Sequence, residues 1–499
     1  MNESMVKITD FGAVPNDKTC DCAAAVQQAI EELKKCCGGT IEFPNGEYNF
    51  GAQPIQEERA AIPVYDAENI IFSGCGSKII ITTPFIGVFA LRNCRNVAIR
   101  GFEIEYNVPP WTQGTVTKAD SAAESFEYVP DDGYDVFALP GYGDCSAAWG
   151  IIENPKNRHM LRPDAPEHFI LGRVKSIGNG KYSLTPKNSE MLSKGIIKEG
   201  DRIVYTCRTM TGSVIAAFHS ENITAEDLLV HECGDCLFVG AYLGGTVKIR
   251  NYRTEFKEGN DIVSVADGVH IQGSRAAVLI ENCSFKGLLD DCVNLYQMTG
   301  KVTGTGAAIT LNHPEGELPR KGETVMFYDS QSQREKLRTT VQNVKKTGDG
   351  QCEIETDGDA TGILTGDTFC IAECMAPFSR IINNSFMYSR RYGLLIKSRD
   401  TEISGNRFEK LGADAVNFAS DVSDYHKEGA PAENILIENN KITDVCYRNG
   451  RKFKNKWASG ACIGIYENNK NIRIFGNEFI NPPSYTVSYG SEENGIHFK

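Results

Sequence analysis

The 499-residue chain lacks a long apolar run and lacks any long cluster of lysine and arginine. No stretch approaches the roughly 18 apolar residues of a membrane-spanning helix, so we expect no membrane partner. The 65 acidic residues outnumber the 52 lysines and arginines, which disfavours a nucleic-acid partner because phosphate backbones need clustered positive charge. With 41% apolar and 23% charged residues, the composition is that of a folded chain with a large core.

The N-terminus also lacks the basic start and apolar core of a secretion signal. The 17 cysteines are an odd number, scattered through apolar segments. Cys233 and Cys236 form a lone CxxC pair without a second pair or a histidine at zinc-site spacing, which favours buried structural thiols over a metal or redox site. An odd number of thiols without a signal predicts a cytoplasmic location.

A capping helix is predicted near the start of the chain. Apolar residues recur there at the spacing of an amphipathic helix, at Val26, Ala29, Ile30 and Leu33. Gly38 and Gly39 end this pattern, and residues 40–48 read as strand and turn. This opening resembles the N-terminal cap of pectin-lyase-like right-handed parallel β-helices, in which one helix covers the apolar end of the solenoid.

Short β-branched strands recur after this cap. Each starts with asparagine or an aliphatic residue and continues with aliphatic residues that alternate with other residues. Each then reaches an asparagine or glycine that is followed closely by an apolar residue. The segments are 96–102, 278–285, 381–386, 402–408, 434–442 and 471–479. Asn384, Asn406, Asn440 and Asn477 follow at steps of 22, 34 and 37 residues. A period in the low twenties with insertions is typical of β-helix coils, whereas the LxxLxL spacing of leucine-rich repeats is absent. Corner asparagines and glycines supply left-handed geometry, and stacked asparagines can bond along the ladder.

Two regions interrupt the repeat, and their alternating strands and glycine turns predict a small antiparallel barrel in each; long disordered loops are the alternative. The predicted fold is all-β: a right-handed parallel β-helix with an N-terminal capping helix and two inserted small β-barrel domains. The predicted units are the cap and first coils 1–106, a barrel 107–212, central coils with an acid cluster 213–299, a second barrel 300–375, and C-terminal coils 376–499.

Three aspartates fall at equivalent places of neighbouring coils. Aligning the alternation of 269–271 with that of 293–295 places Asp267 under Asp291, one coil or 24 residues later. Adjacent strands lie about 4.8 Å apart, so Asp267, Asp290 and Asp291 should cluster on one surface. The same alignment extends the column upstream and downstream, to Asp235 and Asp414, although each of these alone is more typical of a turn.

Clustered carboxylates repel one another and shift their pKa values apart, which keeps one acid protonated while another stays ionised. Two carboxylates flanking a scissile bond perform glycoside hydrolysis, so this cluster predicts a glycosidase site. A Ca²⁺ site and a plain column of turn aspartates are the alternatives. We expect Asp290 to act as general acid and Asp291 or Asp267 as general base, with inverting acids about 6.5–9.5 Å apart.

The segment 267–270, followed by 281–285 and 290–294, resembles glycoside hydrolase family 110. The resemblance implies an exo-acting α-galactosidase that removes terminal α-1,3-linked galactose, including from blood-group-B-type glycans, with inversion of configuration. It also implies a β-helix that carries two inserted barrels. The three essential acids of that family then correspond to Asp267, Asp290 and Asp291.

This sequence departs from the family pattern after Asn294, where Leu295 and Tyr296 replace a His-Gly, and this difference bears on sugar specificity more than on reaction type. Polygalacturonases of family 28 share a similar layout of acids, but their Gly-His-Gly is absent and 395–397 matches their Arg-Ile-Lys only in part. Such a hydrolase, a Ca²⁺-dependent polysaccharide lyase with a lysine or arginine base, and a non-enzymatic carbohydrate-binding β-helix remain alternatives.

Candidate substrate-binding side chains flank the acids. His270 alternates with core aliphatics and should face outward, and the others are Asn294, Arg390, Arg391, Lys397 and Trp457. The polar loop 421–428 interrupts a coil and is expected to wall the cleft. The expected partner is an oligosaccharide or glycan substrate, without a cofactor or a metal, and a homodimer is left open.

Overall fold

The computed structural model describes residues 4–51, 59–139, 149–206, 211–423, 427–447, 459–466, 468–489 and 497–498. Its body is a right-handed parallel β-helix, the hand that parallel crossover connections take, which confirms the predicted fold class. Among these residues, no helix has both the length and the apolar character needed to cross a bilayer.

The predicted capping helix is confirmed as α1, Ala23–Lys35. Its apolar face, which includes Val26, Ile30 and Leu33, is buried in the same core cluster as the interior of the coils. This face therefore covers the open apolar end of the solenoid, as a repeat stack requires. The remaining helical segments are short: α2 at Glu190–Ser193, and 3-10 turns at Ile8–Phe11, Val136–Ala138 and Ala372–Cys374.

Two faces of the solenoid merge into one sheet of twenty strands, here called the larger sheet. Its strands are Met5–Lys7, Gly39–Glu42, Glu47–Phe50, Ile70–Ile81, Arg95–Tyr106, Glu221–Glu226, Leu229–Val230, Gly244–Arg250, Arg253–Thr254, Ala277–Glu281, Ser284–Lys286, Arg380–Ile382, Ser385–Met387, Arg399–Ser404, Arg407–Glu409, Glu433–Glu438, Lys441–Thr443, Lys470–Phe475, Glu478–Ile480 and His497–Phe498. Their inward aliphatic and aromatic side chains form most of the buried core.

The remaining face is an eleven-stranded sheet, here called the site sheet. Ten of its strands follow one another in parallel: Ala60–Tyr65, Gly87–Arg92, Ile215–Phe218, Phe238–Ala241, Val269–Gln272, Val293–Met298, Leu394–Ile396, Val416–Asn417, Ala461–Gly464 and Tyr485–Ser488. The eleventh, Glu428–Gly429, pairs antiparallel with Val293–Met298. This last strand brings the predicted wall loop 421–428 back onto the site sheet.

The predicted asparagine ladder is present. The side-chain amide of Asn384 donates to Oδ1 of Asn406 at 2.9 Å, Asn406 donates to Asn440 at 3.0 Å, and Asn440 donates to Asn477 at 2.9 Å. The residue before each buried member has a positive φ, for example 57° at Asn383 and 66° at Gly405. The corner residues thus supply the left-handed turn, and the ladder joins coils that are 22 to 37 residues apart.

The two insertions differ from each other in topology. The second is a closed six-stranded antiparallel barrel, as predicted, formed by Gly300–Gly304, Ile309–Asn312, Gln351–Thr356, Glu335–Gly348, Thr324–Tyr328 and Thr368–Ile371. The first is a seven-stranded antiparallel sheet with the order Asn157–Leu161, Gly150–Asn154, Arg202–Thr206, Trp111–Asp120, Ser125–Pro130, Lys181–Pro186 and Leu171–Gly178.

The first insertion also closes on itself, as predicted, although not through its outermost strand Asn157–Leu161. Phe169, two residues before the strand Leu171–Gly178, forms an antiparallel bridge with Gly150. The backbone N–H of each residue donates to the carbonyl of the other, at 2.8 Å and 2.9 Å. This bridge joins Leu171–Gly178, at one end of the sheet order, to the strand Gly150–Asn154.

Ion pairs fasten the first insertion onto the central coils. Nη2 of Arg202 lies 2.6 Å from Asp131 within the insertion and 2.7 Å from Asp261 of the solenoid. Nearby, the ring of His159 stacks on that of Phe256 with centroids 3.7 Å apart. These contacts hold the insertion beside the coil that carries the aspartates.

Candidate active site

The three predicted aspartates meet because neighbouring coils of the site sheet are in register. His270 pairs with Asn294 across the parallel ladder, as the alignment predicted. One carboxylate oxygen from each of Asp267, Asp290 and Asp291 lies within 4.8 Å of the others. The three residues are only 3%, 8% and 2% exposed. Three acids therefore share one nearly dry site, closer together than the separation expected for a pair of inverting acids.

Gly268 makes the close approach of the two coils possible. Its N–H donates to the carbonyl of Asp291 at 2.9 Å. A Cβ atom at this position would lie 2.4 Å from the carbonyl oxygen of Cys292. Only glycine fits between the coils here, and it thereby sets the distance of Asp267 from the next coil.

The upstream end of the predicted column was wrong by one residue. The parallel ladder aligns Phe238 with Val269, which places Cys236, not Asp235, beside Asp267. Phe238 packs into the core, whereas Val239 lies on the outer face. In a strand, a shift of the register by one residue exchanges the two faces. The sequence alignment matched Leu237 and Val239 with Val269 and Ile271, and this match put the register off by one residue.

Asp267 is held through both of its oxygens. A 2.6 Å hydrogen bond joins its Oδ2 to Nδ1 of His270, and the backbone N–H of Asp291 donates to its Oδ1 at 3.0 Å. Nε2 of His270 lies 3.1 Å from the hydroxyl of Tyr296, which donates to Gln272 at 3.0 Å. His270 thus faces outward beside the acids as predicted, and its first contact is with Asp267.

Two arginines bind the other acids. Nη2 of Arg390 lies 3.1 Å from Asp290, and Nη1 of Arg391 lies 3.5 Å from the same oxygen. Nε of Arg391 is 3.7 Å from Asp291, and Nη1 of Arg390 donates to Glu167 of the first insertion at 2.8 Å. Arg390 is only 5% exposed and its guanidinium lies 4.5 Å from the ring centre of Trp149. Because Arg390 is buried among these partners, we expect it to hold Asp290 in place more than to donate hydrogen bonds to a substrate.

The electrostatics of the cluster keep one proton in place. The pKa of Asp291 is raised to about 8, chiefly by burial and also by the carboxylates of Asp290 and Asp267, against the opposing charge of Arg391. Burial opposes the charge of Arg391, but the surrounding carboxylates Asp291, Asp290 and Glu167 raise its pKa well above its ordinary value. At neutral pH Asp291 is therefore largely protonated, so the site holds a proton that acid–base catalysis can use.

A lysine marks the other end of the site. Nζ of Lys397 lies 2.8 Å from Glu428, 3.3 Å from Oδ1 of Asn294 and 5.2 Å from the ring centre of Tyr296. Burial raises the pKa of Glu428, but the charge and hydrogen bond of Lys397 outweigh it and hold that pKa below its ordinary value. Glu428 therefore stays ionised at neutral pH, and its contact with Lys397 joins the wall strand to the site sheet.

These side chains line a cavity of about 470 Å³, within the range of small-ligand sites. All the predicted site residues line it except Trp457, which lies outside the described residues. The predicted wall loop contributes Asp421 and Glu428. The first insertion adds three residues that the sequence reasoning missed: Trp149, Glu167 and His168.

These three were missed because they precede the acids by about a hundred residues and belong to another module. Burial, reinforced by the charge of Arg390, lowers the pKa of His168. This histidine is therefore a neutral hydrogen-bonding group at the rim. Trp149 is one of three tryptophans in the chain, and this scarcity was the one signal that could have found it.

Two overlapping sets of side chains at the site could supply ligand atoms for a cation. One set is the three aspartates, and the other consists of Cys236, Asp267 and His270. The lining arginines and lysine are each paired with carboxylates: Arg390 and Arg391 with Glu167 and the aspartates, and Lys397 with Glu428. Chemically, the site offers a protonated carboxyl at Asp291, two further carboxyl groups beside it, and polar donors at both ends.

No protein-family model matches the chain. The chain is 24% identical to alpha-1,3-galactosidase B of Bacteroides thetaiotaomicron over 542 residues, covering 99% of this chain and 85% of the relative. It is 22% identical to alpha-1,3-galactosidase A of Bacteroides fragilis over 546 residues, covering 99% and 86%. Both confirm the resemblance predicted around the aspartates. Among solved structures, the A-module of Azotobacter vinelandii mannuronan C-5 epimerase AlgE4 matches with a TM-score of 0.44 and 13% identity, covering 99% and 91%.

Proposed function

We propose that this chain is an exo-acting glycoside hydrolase that removes a terminal α-linked galactose from oligosaccharides. The observation that carries the proposal is the buried cluster of Asp267, Asp290 and Asp291 in a cavity of about 470 Å³. Support for galactose comes from the alpha-1,3-galactosidases to which the chain is similar over nearly its whole length.

In the proposed mechanism, Asp290 delivers a proton to the glycosidic oxygen. Its side chain is 11% exposed, whereas that of Asp291 is 3% exposed, so Asp290 is the carboxyl that an incoming substrate reaches. The raised pKa of Asp291 keeps a proton on this pair at neutral pH, and two such close carboxyls titrate as one unit. The arginines on Asp290 balance the negative charge that remains after the transfer.

Asp267 then takes the proton from the attacking water. It is held at both oxygens, by Nδ1 of His270 and by the backbone N–H of Asp291, and these contacts fix its orientation beside the cavity. We propose inversion of configuration on the family resemblance. The short spacing of the acids means that the water would be held between two carboxylates instead of opposite a distant one. A retaining course through a glycosyl ester is the competing outcome.

The charge of the cavity favours a neutral sugar over a uronate. Each lining arginine and lysine already contacts a carboxylate, as Arg390 does with Glu167 and Lys397 with Glu428. A uronate carboxylate would have to displace one of these partners and would also meet the aspartates. This disfavours the polygalacturonase and lyase alternatives, both of which act on polyuronates.

The test is a screen of aryl glycosides and defined α-galactosyl oligosaccharides with the full chain, reading the first-formed anomer by NMR. We expect release of galactose from α-galactosides as the β-anomer, with an Asp290→Asn variant as the inactive control. Release of the α-anomer would overturn inversion but keep the hydrolase. Calcium-dependent formation of an unsaturated product would overturn the hydrolase itself.

We also propose that the enzyme works in a reducing compartment. The chain has an odd number of cysteines, and most of those in the described part are buried, as packing side chains are. Disulfides are the usual device of chains that fold in oxidising compartments. Fractionation of cells producing the native chain, with an antibody against it, tests this placement.

A further inference from the structure

Cys236 lies one coil before Asp267 on the outer face of the site sheet. The ladder pairs Phe238 with Val269, so Cys236 and Asp267, each two positions earlier, lie side by side. Its CxxC partner Cys233 belongs to the buried core cluster, whereas Cys236 does not. The two thiols of the motif therefore point to opposite faces, and only Cys236 is directed at the acids.

Three kinds of metal ligand meet at this point. The sulfur of Cys236, a carboxylate oxygen of Asp267 and a ring nitrogen of His270 lie within 4.8 Å of one another. Thiolate, imidazole and carboxylate are the ligands of zinc, which they bind at about 2.0–2.3 Å. No motif in the sequence predicts this set of ligands, because His270 lies 34 residues after Cys236, outside any usual zinc-motif spacing.

We propose that Cys236, Asp267 and His270 form an inhibitory binding site for Zn²⁺ or a similarly soft divalent cation. Three protein ligands leave a fourth position for water, the arrangement of open zinc sites. The cavity borders Asp267 and His270, and it supplies both the entry path and that water. On binding, the protons of the Cys236 thiol and of Nδ1 pass to solvent, and no oxidation or reduction takes place.

The groups that would orient these ligands are already in place. Nε2 of His270 lies 3.1 Å from the hydroxyl of Tyr296, so the ring can use Nδ1 for the metal while Nε2–H donates to Tyr296. The hydroxyl of Tyr296 in turn donates a hydrogen bond to Oε1 of Gln272 at 3.0 Å. The backbone N–H of Asp291 holds the other oxygen of Asp267 at 3.0 Å. Metal-binding histidines and carboxylates typically have such partners.

The neighbouring set of three aspartates does not compete for a soft ion. Its ligands are all oxygens, which suit hard cations such as Ca²⁺ and Mg²⁺. Arg390 and Arg391 also lie within 3.5 Å of Asp290, and their charge repels any cation there. Cys236 is thus the residue that distinguishes the proposed site from a plain carboxylate site.

Metal at this place would withdraw Asp267 from catalysis, because the carboxylate that should take a proton from water would coordinate the ion instead. This inhibitory role rests on the proposed function, but the binding itself does not. The experiment therefore measures binding and turnover separately.

Full-length protein freed of metal is titrated with Zn²⁺ by calorimetry, and with Cd²⁺ by the ultraviolet absorption of the cadmium–thiolate bond. We expect one tight equivalent, a thiolate band, and loss of α-galactosidase turnover over the same Zn²⁺ range. Cys236→Ser should weaken Zn²⁺ binding at least tenfold and remove the cadmium band of that equivalent, while its turnover without metal stays unchanged. Cys75→Ser, at an exposed cysteine, is the matched control and should behave as the parent does.

Unchanged Zn²⁺ affinity in Cys236→Ser, or the absence of the thiolate band, would overturn the proposal. Zn²⁺ inhibition that survives in Cys236→Ser would do so too, since it would place the ion on carboxylates alone. If Zn²⁺ binds through Cys236 but no α-galactoside is cleaved, the metal site stands and the proposed function fails. Should Cys236→Ser not fold, Tyr296→Phe serves in its place, with a several-fold weaker affinity expected from loss of the His270 partner.

Discussion

Nη1 of Arg390 lies 2.8 Å from Oε1 of Glu167, a residue 223 positions earlier in the chain. Another nitrogen of the same guanidinium lies 3.1 Å from Asp290. One buried arginine therefore joins the first insertion to the coil that carries the acids. Arg390 lines the cavity, where it is predicted to bind substrate, and through these contacts it also positions Asp290.

Loss of Glu167 should impair turnover without loss of the fold. In Glu167→Gln, Arg390 and Arg391 are no longer shared with a second carboxylate and bind Asp290 more strongly, which favours its ionised form. We expect kcat to fall about tenfold, as for partial loss of general acid catalysis, and its alkaline limb to move to lower pH. Glu190→Gln, at an exposed glutamate of the same insertion, is the control. An unshifted pH profile would contradict this role.

The general acid should be distinguishable from the general base by how the activity of each variant depends on the leaving group of the substrate. Asn variants of Asp267, Asp290 and Asp291 should each lose about 100-fold to 10,000-fold in turnover of an α-1,3-linked disaccharide. With α-galactosyl fluoride, whose leaving group needs no protonation, Asp290→Asn should recover most of its activity. Asp267→Asn should stay inactive. Recovery in Asp291→Asn instead would make Asp291 the acid.

Asp291→Asn should stabilise the fold increasingly as pH rises. Folding raises the pKa of this acid from 3.8 to about 8, so between these values the unfolded chain is ionised while the native state remains protonated. Native stability therefore falls with rising pH across this window, at about 1.4 kcal/mol for each pH unit at most. The amide removes that cost, and its oxygen can still accept from the backbone N–H of Tyr392.

Denaturant unfolding at about pH 4 and at about pH 8 tests this linkage. The variant should match the parent at the lower pH and exceed it at the higher one. Equal stabilities at both values would show that the native carboxyl is not held protonated. The same data confirm that loss of activity in this variant is not caused by loss of folding.

The buried asparagine ladder should carry a measurable share of the stability. Asn406→Ala deprives the buried backbone N–H of Asn384 and the carbonyl of Ile381 of their side-chain partner. Each buried polar group left unpaired costs about 1–3 kcal/mol, so a clear loss in free energy of unfolding is expected. Asn96→Gly, at an exposed corner with φ of 55°, keeps the backbone geometry and should cost far less. Equal losses would argue against the ladder.

Most of the fold could be predicted from local patterns. The helix Ala23–Lys35, the coil strands and the asparagine ladder follow from periodicities that repeat along the chain. The register that joins Asp267 to Asp291 was also predicted, because both coils share the same aliphatic alternation. The alignment failed at Asp235, where an extra apolar residue allowed two registers that differ by one residue.

The sequence by itself determined the solenoid, its cap and the meeting of three aspartates, because each depends on a repeat that neighbouring coils share. Only the tertiary structure decided what surrounds those acids. The contacts of Arg390 with Glu167 and Trp149, the pairing of Lys397 with Glu428, and the closeness of Cys236 to His270 join separate modules or separate coils. No periodicity connects such residues, since their distances depend on how insertions pack and on which face each side chain takes.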